Sequence, residues 1–331
     1  MVLYMNYDDL TYKKNIIDKH RPLPKALVTN LDDWFRVEFT YTSNAIEGNT
    51  LTRRETALVI EKGLTIGGKL LTEHLEATNH ACALGWIKKK ITEPIQIITE
   101  KDLLYIHNII LKGIDDKNAG YYRNVSVRIS GSTVILPNYL KVPSLMADFI
   151  KWINSRSPMH PVELASEAHY KLVTIHPFTD GNGRTARLLM NMILMMYGYP
   201  IAVIQKKDRL AYISALENAQ LGGSKEDYLK LIAKAVNSSL DIYLKAISKK
   251  PEELEAKSNR LLKIGELAKA VNENNSTIRH WTKEGLLEIA EITNAGYQLY
   301  SLDMIKRIQK IRLLQKKQRY TLKEIKDYLK K

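Results

Sequence analysis

The sequence predicts a mostly α-helical protein in two parts, and three observations support this fold class. From Asp32 to about Lys245, apolar residues recur at intervals of three and four, as in "LASEAHYKLVTIH", which is the period of a helix with one buried face. A polar stretch containing Pro251 interrupts that pattern. After it, short helical and strand-like segments surround a glycine turn. We therefore predict a helical domain over residues 1–247, a linker over 248–261 and a small second domain over 262–331.

The composition is that of an ordinary folded protein, and it excludes several classes. A single cysteine, Cys82, rules out an intramolecular disulfide and a cysteine-based zinc site, and favours a reducing, cytoplasmic setting. The first residues, "MVLYMNYDDLTYKK", lack the basic-then-apolar pattern of a signal peptide. The uncharged run over 188–204 is short for a membrane span and contains a glycine and a proline. We interpret it as a buried helix that ends near Tyr197, and we expect no membrane partner.

Positive charge is concentrated at the C-terminal end of the chain. The formal net charge is +14, and residues 301–331 hold eleven Lys or Arg against three acids. More than half of the surplus therefore lies in the last tenth of the chain. A surplus of this size indicates a polyanionic partner.

One segment inside the helical part predicts strands rather than a helix. In "VSVRISGSTVILP", Val125, Val127 and Ile129 alternate with polar residues, and "TVIL" is rich in β-branched residues. The intervening "SGS" supplies a turn. We predict a short β-hairpin over 125–136.

The segment "HPFTDGNGRTAR" has the composition of a phosphate-binding turn. Gly181 and Gly183 flank Asn182 and allow backbone conformations in which successive N–H groups converge on an anion. The pattern that follows is helical, so the turn lies at the positive N-terminus of a helix. Arg184 and Arg187 fall on one face of that helix, and arginine forks match phosphate oxygens. The segment therefore predicts a site for several phosphates.

Two further residues of the same segment suit chemistry beside bound phosphates. Asp180 can hold a divalent cation, because Mg²⁺ favours one or two carboxylates together with substrate phosphates. His176 belongs to the residue type whose pKa suits a general base. Taken singly, each of these residues is more often part of a turn or a solvated side chain. Their combination within one short segment is what points to a nucleotide site.

Two other patterns compete for a functional role. "GLTIGGK" (63–69) has the spacing of a P-loop, but Leu70 stands where a Mg²⁺-binding hydroxyl is required and a helical pattern precedes it, so we reject that reading. His169 lies seven residues before His176, on the same helical face. The two histidines are a conceivable metal pair, but one neutral pair is an incomplete site, and we favour a packed, hydrogen-bonded His169.

The phosphate-binding segment resembles the full signature of Fic-domain proteins, His-Pro-Phe-x-(Asp/Glu)-Gly-Asn-Gly-Arg-x-x-Arg, without departure. "GLTIGGKLLTEHLEATNHACAL" and "AGYYRNVSVRISGSTVILP" resemble upstream parts of the same domain, so the resemblance covers residues 30–245 or so. It implies a Fic-type helical domain whose hairpin is a flap that receives a target segment by β-addition, although a purely structural hairpin stays open. It also implies transfer of AMP from ATP to a Tyr, Thr or Ser hydroxyl of a target protein, with Mg²⁺ as cofactor.

The resemblance assigns roles residue by residue. His176 takes the proton from the target hydroxyl, and Asp180 holds Mg²⁺ between the α- and β-phosphates. Phe178 is expected to anchor the loop in the core. The turn and the two arginines bind the phosphates, and these residues are Gly181, Asn182, Gly183, Arg184 and Arg187.

"SNAIEGN" (43–49) resembles the Fic inhibitory motif, (Ser/Thr)-x-x-x-Glu-(Gly/Asn). Ser43 and Glu47 are four residues apart and hence lie on one helical face. The resemblance implies that Glu47 forms a salt bridge with Arg187 and so prevents productive ATP binding. Its position before the signature resembles the class with an N-terminal inhibitory helix, and some members of that class also use this glutamate to remove AMP.

The second domain resembles the winged-helix DNA-binding head of MerR-type regulators, on the cues "STIRHW", "EGLL" and "GYQLYS". The resemblance implies a second helix that begins near Ser276 and lies in the major groove. The wing departs from the family because Thr293, Asn294 and Gln298 stand where arginine is usual. The implied DNA contacts come from the second helix, the wing and the basic tail, and they are Ser276, Thr277, Arg279, His280, Tyr297, Lys316, Lys317 and Arg319.

The sequence leaves alternatives open at the level of function. The winged helix is either a DNA-binding module, which the basic tail favours, or a protein-docking module. The whole chain is an AMP transferase, a nucleotide-sensing transcription regulator without transfer, or an enzyme that mainly removes AMP. His176 argues against pure sensing, since sensing needs no general base. No long coiled coil follows the winged helix, so we expect a homodimer to form through the Fic domain.

Overall fold

The protein is described by a computed structural model over residues 7–94, 97–155, 158–248, 261–293, 296–318 and 320–330, with the side chains of 316–318 and 329–330 outside that description. The chain divides into two compact units, residues 1–247 and 248–331. Most of the expected linker lies outside the described residues. The two units are considered in turn.

The N-terminal unit is helical, as the repeat of apolar residues predicts. Its α-helices in the described ranges are α1 (Asp8–Lys19), α2 (Lys25–Ile46), α3 (Arg53–Lys62), α4 (Leu71–Lys90), α5 (Glu100–Leu111), α6 (Val142–Ile153), α7 (Pro161–Ile175), α8 (Asn182–Met196), α9 (Arg209–Gln220) and α10 (Glu226–Ile247). Two short 3₁₀ turns, Tyr139–Lys141 and Lys206–Asp208, lead into α6 and α9.

Helix α8 is the centre of this unit. Nearly all of its residues are buried, among them Leu188, Leu189, Met190 and Leu194. A helix that is apolar on all sides is typical of a core element rather than a surface element. The uncharged run is therefore a buried helix that ends before Tyr197, as predicted, and in the described part of the chain no helix is long and apolar enough to cross a membrane.

Helix α7 packs against α8 and carries the loop that precedes it. The helix begins at Pro161, whose fixed φ suits a first helical position, and the ring of His160 accepts the Val162 N–H. It ends at His176, whose φ of 51° is left-handed and uncommon for a residue other than glycine. This strained end reverses the chain into the loop over 177–181. The strain is a sign that the surrounding contacts fix the loop.

The predicted hairpin over 125–136 is present as a turn but without paired strands. Ser132 N–H donates to the Ile129 carbonyl, and Gly131 adopts a left-handed φ of 75°. The hairpin strands were a wrong expectation, since no ladder joins the two arms. The tip is held by another element, because the Thr133 N–H and the Ser132 hydroxyl both donate to the Glu217 carboxylate on α9. A lone two-stranded ribbon is marginal without such support.

The C-terminal unit has the predicted mixture of short helices and strands. Its elements are β1 (Leu262–Lys263), α11 (Ile264–Val271), α12 (Asn275–Lys283), β2 (Glu291–Ile292), β3 (Gln298–Tyr300), α13 (Asp303–Gln318) and α14 (Leu322–Lys330). The strands form an antiparallel sheet in the order β1-β3-β2, so β2 lies at an edge. A separate apolar core holds the unit together, with Leu267, Ile278, Trp281, Tyr300, Ile308 and Ile325 among its buried members.

Candidate active site

The catalytic candidate His176 is positioned by its own helix end and by Arg123. The ring Nδ1 lies 3.2 Å from the Val173 carbonyl oxygen, which can only accept, so Nδ1 carries the proton and Nε2 keeps a free lone pair. Burial lowers the pKa of His176, and the imidazole is therefore neutral near pH 7. A neutral ring with an unprotonated Nε2 facing a cleft is the form that a general base requires.

The loop after His176 is closed by the side chain of Asn182. Its Oδ1 accepts the Phe178 N–H at 2.9 Å, and its Nδ2 donates to the Phe178 carbonyl at 2.9 Å. Phe178 is fully buried, in keeping with its expected role as an anchor. The Asn182 side chain is thus committed to the loop, and its backbone N–H is the group left for a phosphate.

His107 supports the same loop from helix α5. Its ring stacks on Phe178 with centroids 3.6 Å apart, and its Nε2–H donates to the Asp180 carbonyl. Its Nδ1 accepts the Gly120 N–H at 3.0 Å. Burial lowers the pKa of His107 to about 4, so the ring stays neutral and keeps both contacts near pH 7.

The start of α8 is arranged as an anion site. Gly181 caps the helix with a left-handed φ of 76°. The first N–H groups of a helix have no intrahelical acceptor and carry the positive end of its dipole. These groups belong to residues 182–184, beside the cleft that also holds His176. A side chain at Gly183 would displace the Glu47 carboxylate, so glycine at this position lets that carboxylate lie against the start of α8.

The two arginines of α8 are buried and paired with different acids. Arg187 is 2% exposed; its Nε donates to Ser43 Oγ at 2.9 Å, and its Nη2 donates to Glu47 Oε1 at 2.6 Å. Burial opposes the charge on Arg187, but the attraction of Glu47 outweighs it, and the pKa of Arg187 is raised. The structure therefore brings Ser43, Glu47 and Arg187 together at the end of α2.

Arg184 bridges two carboxylates on the other side of the turn. Its Nη2 lies 3.0 Å from Asp180 Oδ2, and its Nη1 lies 2.9 Å from Glu76 Oε1. Arg184 is buried, whereas the Asp180 side chain is 66% exposed. One carboxylate oxygen of Asp180 is thus occupied by an arginine and the other is open to the cleft. A cation held mainly by ATP phosphates, with one protein carboxylate, fits this arrangement.

His176, Asp180, Glu47, Arg187 and the start of α8 line a cleft of about 440 Å³, whereas Arg184 is not among its lining residues. One wall is the flap, by which we mean residues 125–136, and the opposite wall is α9 with Tyr212, Ile213 and Glu217. The floor is the loop after His176 and the start of α8. A volume of this size is in the range of small-molecule sites.

His169 does not join His176 in a metal pair within the described structure. Its Nε2 lies 2.7 Å from the Tyr212 hydroxyl, and its Nδ1 lies 2.9 Å from the Tyr228 hydroxyl. Burial and the charge of Arg187 lower the pKa of His169 to about 3. These contacts support the favoured interpretation of a packed, hydrogen-bonded histidine, and the described residues hold no group of three or more metal-ligating side chains.

Sequence reasoning missed several supporting residues. Arg123 is 3% exposed, and its guanidinium donates to three backbone carbonyls, those of His176 at 2.8 Å, Val125 at 3.1 Å and Pro137 at 2.6 Å. The signal in the sequence that could have identified this residue is an arginine directly after two aromatic residues, in "GYYRN". The other residues missed are His107, Glu76, Tyr212 and Arg209, whose Nε donates to the Ile46 carbonyl beside Glu47. Nothing in the spacing of the sequence relates them to the signature.

The rejected P-loop segment is an ordinary connection. Helix α3 precedes it, Gly63 caps that helix in a left-handed conformation, and Lys69 donates to Thr50. A P-loop follows a strand, so the structure supports the rejection.

The C-terminal unit exposes its candidate contacts on α12 and the strand pair. Ser276, Arg279 and His280 are exposed, and Thr277 is half-buried. Arg279 and Tyr297 line a cavity of about 550 Å³ together with Lys283. The side chains of Lys316 and Lys317, the whole of Arg319, and Asn294 in the turn between the strands lie outside the described residues.

Comparisons with known proteins identify two regions. Residues 97–194 match the Fic/DOC family, and residues 262–331 match the MerR HTH family of regulatory proteins. The chain is similar to a protein adenylyltransferase Fic from Culex quinquefasciatus, with 39% identity over 214 residues, 64% of this chain and 42% of that protein. The chain thus spans less than half the length of the curated relatives that it matches.

Solved structures give the same assignment for the helical unit. A Fic domain-containing signaling protein from Bacteroides thetaiotaomicron superimposes with a TM-score of 0.66 at 30% identity, over 73% of this chain and 97% of that one. Fic-1 from C. elegans superimposes with a TM-score of 0.65 at 32% identity, over 72% and 71%. The similarity in fold is therefore accompanied by substantial identity in sequence.

Proposed function

Because the chain belongs to the Fic/DOC family, we propose that it is a protein adenylyltransferase, which transfers AMP from ATP to a hydroxyl side chain of a target protein. One observation carries the proposal: His176, with a free Nε2, lines the same cleft as the start of α8 and the buried Arg187. A base, an anion cradle and paired guanidinium groups are the parts that phosphoryl transfer needs.

The reaction follows from these positions. The Nε2 atom of His176 takes the proton of the target hydroxyl, and the hydroxyl oxygen attacks the α-phosphorus while pyrophosphate leaves. The N–H groups of residues 182–184 hold phosphate oxygens at the positive end of α8. Arg184 and Arg187 neutralise the β- and γ-phosphates. Asp180 would hold Mg²⁺, which would supply positive charge to the bound phosphates.

We further propose that Glu47 inhibits the enzyme. Arg187 donates from Nε to Ser43 Oγ and from Nη2 to both the Ser43 carbonyl and Glu47 Oε1, so these two nitrogens are occupied by the motif. The Glu47 carboxylate also lies against Gly183, where phosphate oxygens would bind. The Glu47 carboxylate therefore opposes ATP binding in two ways: it competes with the γ-phosphate for Arg187, and its negative charge repels the phosphates. The second candidate activity is AMP removal, in which the same carboxylate would orient the attacking water.

The proposal covers the C-terminal unit as well. A MerR-type fold with exposed Arg279 and Lys283 and a basic tail supports DNA binding, and protein docking is the alternative. In the described part of this unit the longest helix is α13, with 16 residues, so a homodimer would form through the Fic unit. The single cysteine supports a cytoplasmic setting.

Labelling separates these functions. The protein is incubated with Mg²⁺ and ATP that carries a label in the α-phosphate, and label on protein is counted over time. Transfer predicts stable label on protein, and removal predicts release of AMP from protein labelled beforehand. A nucleotide-sensing regulator predicts bound ATP with no label on protein, and that result would contradict the proposed enzyme.

A further inference from the structure

A row of buried polar side chains that the proposed mechanism does not use ends at Arg187. The row runs from Tyr228 on α10 through His169 on α7 to Tyr212 on α9, and all three residues are at most 2% exposed. We propose that Tyr212 and His169 are positioning residues, which hold the Arg187 guanidinium at the phosphate site when Glu47 is not its partner. The inference rests on the proposed function and adds to it how the second arginine of the site is oriented.

The far end of this row fixes the tautomer of His169. The Tyr228 hydroxyl donates its proton to the Ser166 carbonyl, with 2.8 Å between the two oxygens. Because a hydroxyl has only one proton, the Tyr228 oxygen accepts from His169 Nδ1, which lies 2.9 Å away. Burial, and then the charge of Arg187, lower the pKa of His169 to about 3. The ring is therefore neutral near pH 7 and carries its one proton on Nδ1.

The near end of the row presents an acceptor to Arg187. With its proton on Nδ1, His169 can only accept at Nε2, and the Tyr212 hydroxyl lies 2.7 Å from that atom. Tyr212 therefore gives its proton to His169 and keeps its oxygen lone pairs for a donor. The guanidinium of Arg187 is that donor: burial opposes its charge, and Glu47 and then Tyr212 raise its pKa. Every proton in the row points away from Arg187.

A fixed acceptor is needed once the inhibitory contact is released. The motif of Ser43 and Glu47 occupies Nε and Nη2 of Arg187. The third nitrogen, Nη1, lies 3.1 Å from the point where a side chain at Gly183 would begin, at the start of α8. Without a partner, the arginine side chain would sample several rotamers, and ordering it would consume part of the free energy of phosphate binding. The Tyr212 oxygen keeps the guanidinium oriented beforehand.

Tyr212 differs from Glu47 in charge. Burial raises the pKa of Tyr212 to about 12, although Arg187 opposes this shift, so the phenol is neutral near pH 7. A neutral oxygen orients a guanidinium without cancelling its charge and without repelling a phosphate. Tyr212 and Arg187 also line the same cleft as Gly183. Arg187 thus has one partner that competes with ATP and one that does not.

The test measures nucleotide binding by the full chain with Glu47→Gly, in which Arg187 has lost its charged partner. Adding Tyr212→Phe removes only a hydroxyl group. Titration with ATP at fixed Mg²⁺ should show an affinity at least about tenfold lower, as expected when a hydrogen bond to a charged group is lost. Affinity for ADP should stay the same, because ADP has no γ-phosphate for Arg187. A merely structural role would lower both affinities alike.

The matched control is Tyr170→Phe in the same Glu47→Gly chain. The Tyr170 hydroxyl also joins α7 to α9, since it donates to the Ala219 carbonyl at 3.0 Å, but this partner lies outside the row. Its removal should leave both nucleotide affinities unchanged.

Nitrogen NMR of the histidine rings provides a second measurement that needs no nucleotide. His169 should carry its proton on Nδ1 and none on Nε2, and the Nε2 signal should shift in the Tyr212→Phe variant, because its hydrogen-bond donor is gone. This readout depends on the direction of the hydrogen bonds and not on the stability of the fold.

The outcomes separate the inference from the function on which it rests. Unchanged ATP affinity in the Tyr212→Phe variant, an equal loss of ADP affinity, or a proton on His169 Nε2 overturns the inference, whatever happens to AMP transfer. A chain that binds ATP but never transfers label contradicts the transferase, whereas a selective loss of ATP affinity in that chain still supports the positioning role. A Glu47→Gly chain that binds no ATP overturns both.

Discussion

At the residue scale, the active site depends on single side chains that fix the backbone. Arg123 is the clearest case, because one guanidinium holds the carbonyl of His176 and both ends of the flap. The base and the flap are thus set in one position relative to each other. Asn182 and His107 fix the loop that follows His176, through hydrogen bonds to the backbone of Phe178 and of Asp180.

The first prediction concerns the base. His176→Ala should abolish AMP transfer and leave ATP binding intact, since the helix start and the arginines that hold phosphates remain. Transfer is measured by label on protein and ATP binding by titration. His20→Ala, at an exposed position, should change neither quantity. Normal transfer by the His176 variant would contradict the mechanism.

The second prediction concerns Arg123. Arg123→Lys keeps the charge, but an ammonium group cannot hold three carbonyls as one planar fork does. The flap and His176 are then no longer held in a fixed relative position. We expect transfer to a protein target to fall roughly 10–100-fold, as small misplacements of reacting groups do, with ATP affinity unchanged. The control is Arg128→Lys on the exposed part of the flap, which should have no effect. A parallel loss of ATP binding or of thermal stability would indicate a merely structural role.

At the element scale, the proposed inhibition rests on the meeting of two helix ends. The C-terminal end of α2 carries Ser43 and Glu47, and the first two turns of α8 carry Gly183 and Arg187. The end of α2 is also held from the side, since Arg209 at the start of α9 donates to the Ile46 carbonyl next to Glu47. The pair is therefore built into the packing of the helices rather than attached to a surface loop.

The third prediction concerns this pair. Glu47→Gly frees Arg187 and removes a negative charge from the phosphate site, so we expect self-labelling to rise at least about tenfold. A coupling of ~1–3 kcal/mol corresponds to a change of about 5–150-fold. The double variant with Arg187→Ala should lose most of the gain, because the freed arginine is gone. Wild type, both single variants and the double variant are compared at one ATP concentration, and a Glu47→Gly variant no more active than wild type would refute inhibition.

At the scale of the whole molecule, the two units differ in whether their charged and titratable side chains are buried or exposed. The N-terminal unit buries neutral histidines and paired arginines around one cleft. The C-terminal unit leaves its cations exposed on one side of a small core. Acid and salt should therefore affect the two units differently.

The fourth prediction is acid sensitivity of the N-terminal unit. Burial lowers the pKa of His80 to about 3, of His107 to about 4 and of His169 to about 3. These folded-state pKa values lie below the unfolded value near 6.5, so the unfolded chain binds more protons and stability falls as pH drops from about 6.5 towards 4. The slope is at most about 4 kcal/mol per pH unit for three histidines. Urea unfolding at several pH values measures this slope.

The fifth prediction concerns DNA. Residues 262–331 should bind duplex DNA with an affinity that falls steeply with salt, because phosphate contacts release counterions. Removing charge from Lys316, Lys317 and Arg319 should weaken binding to all sequences alike. Gel-shift titrations over a range of salt concentrations measure both effects. No binding at low salt would favour the docking module.

The sequence by itself predicted the class of the fold and a set of candidate site residues. The helical repeat predicted the N-terminal unit, the turn with its two arginines predicted a phosphate site, and "SNAIEGN" predicted, through its resemblance to the inhibitory motif, that Glu47 meets Arg187, because each of these is a short local pattern. Only the tertiary structure decided that the flap arms do not pair and that Glu217, on a distant helix, holds the flap tip. It also decided the partners of the buried groups. Arg123, His107 and Glu76 form hydrogen bonds with residues that are tens of positions away in the sequence. The periodicity of a sequence does not indicate which buried acceptor pairs with a distant donor.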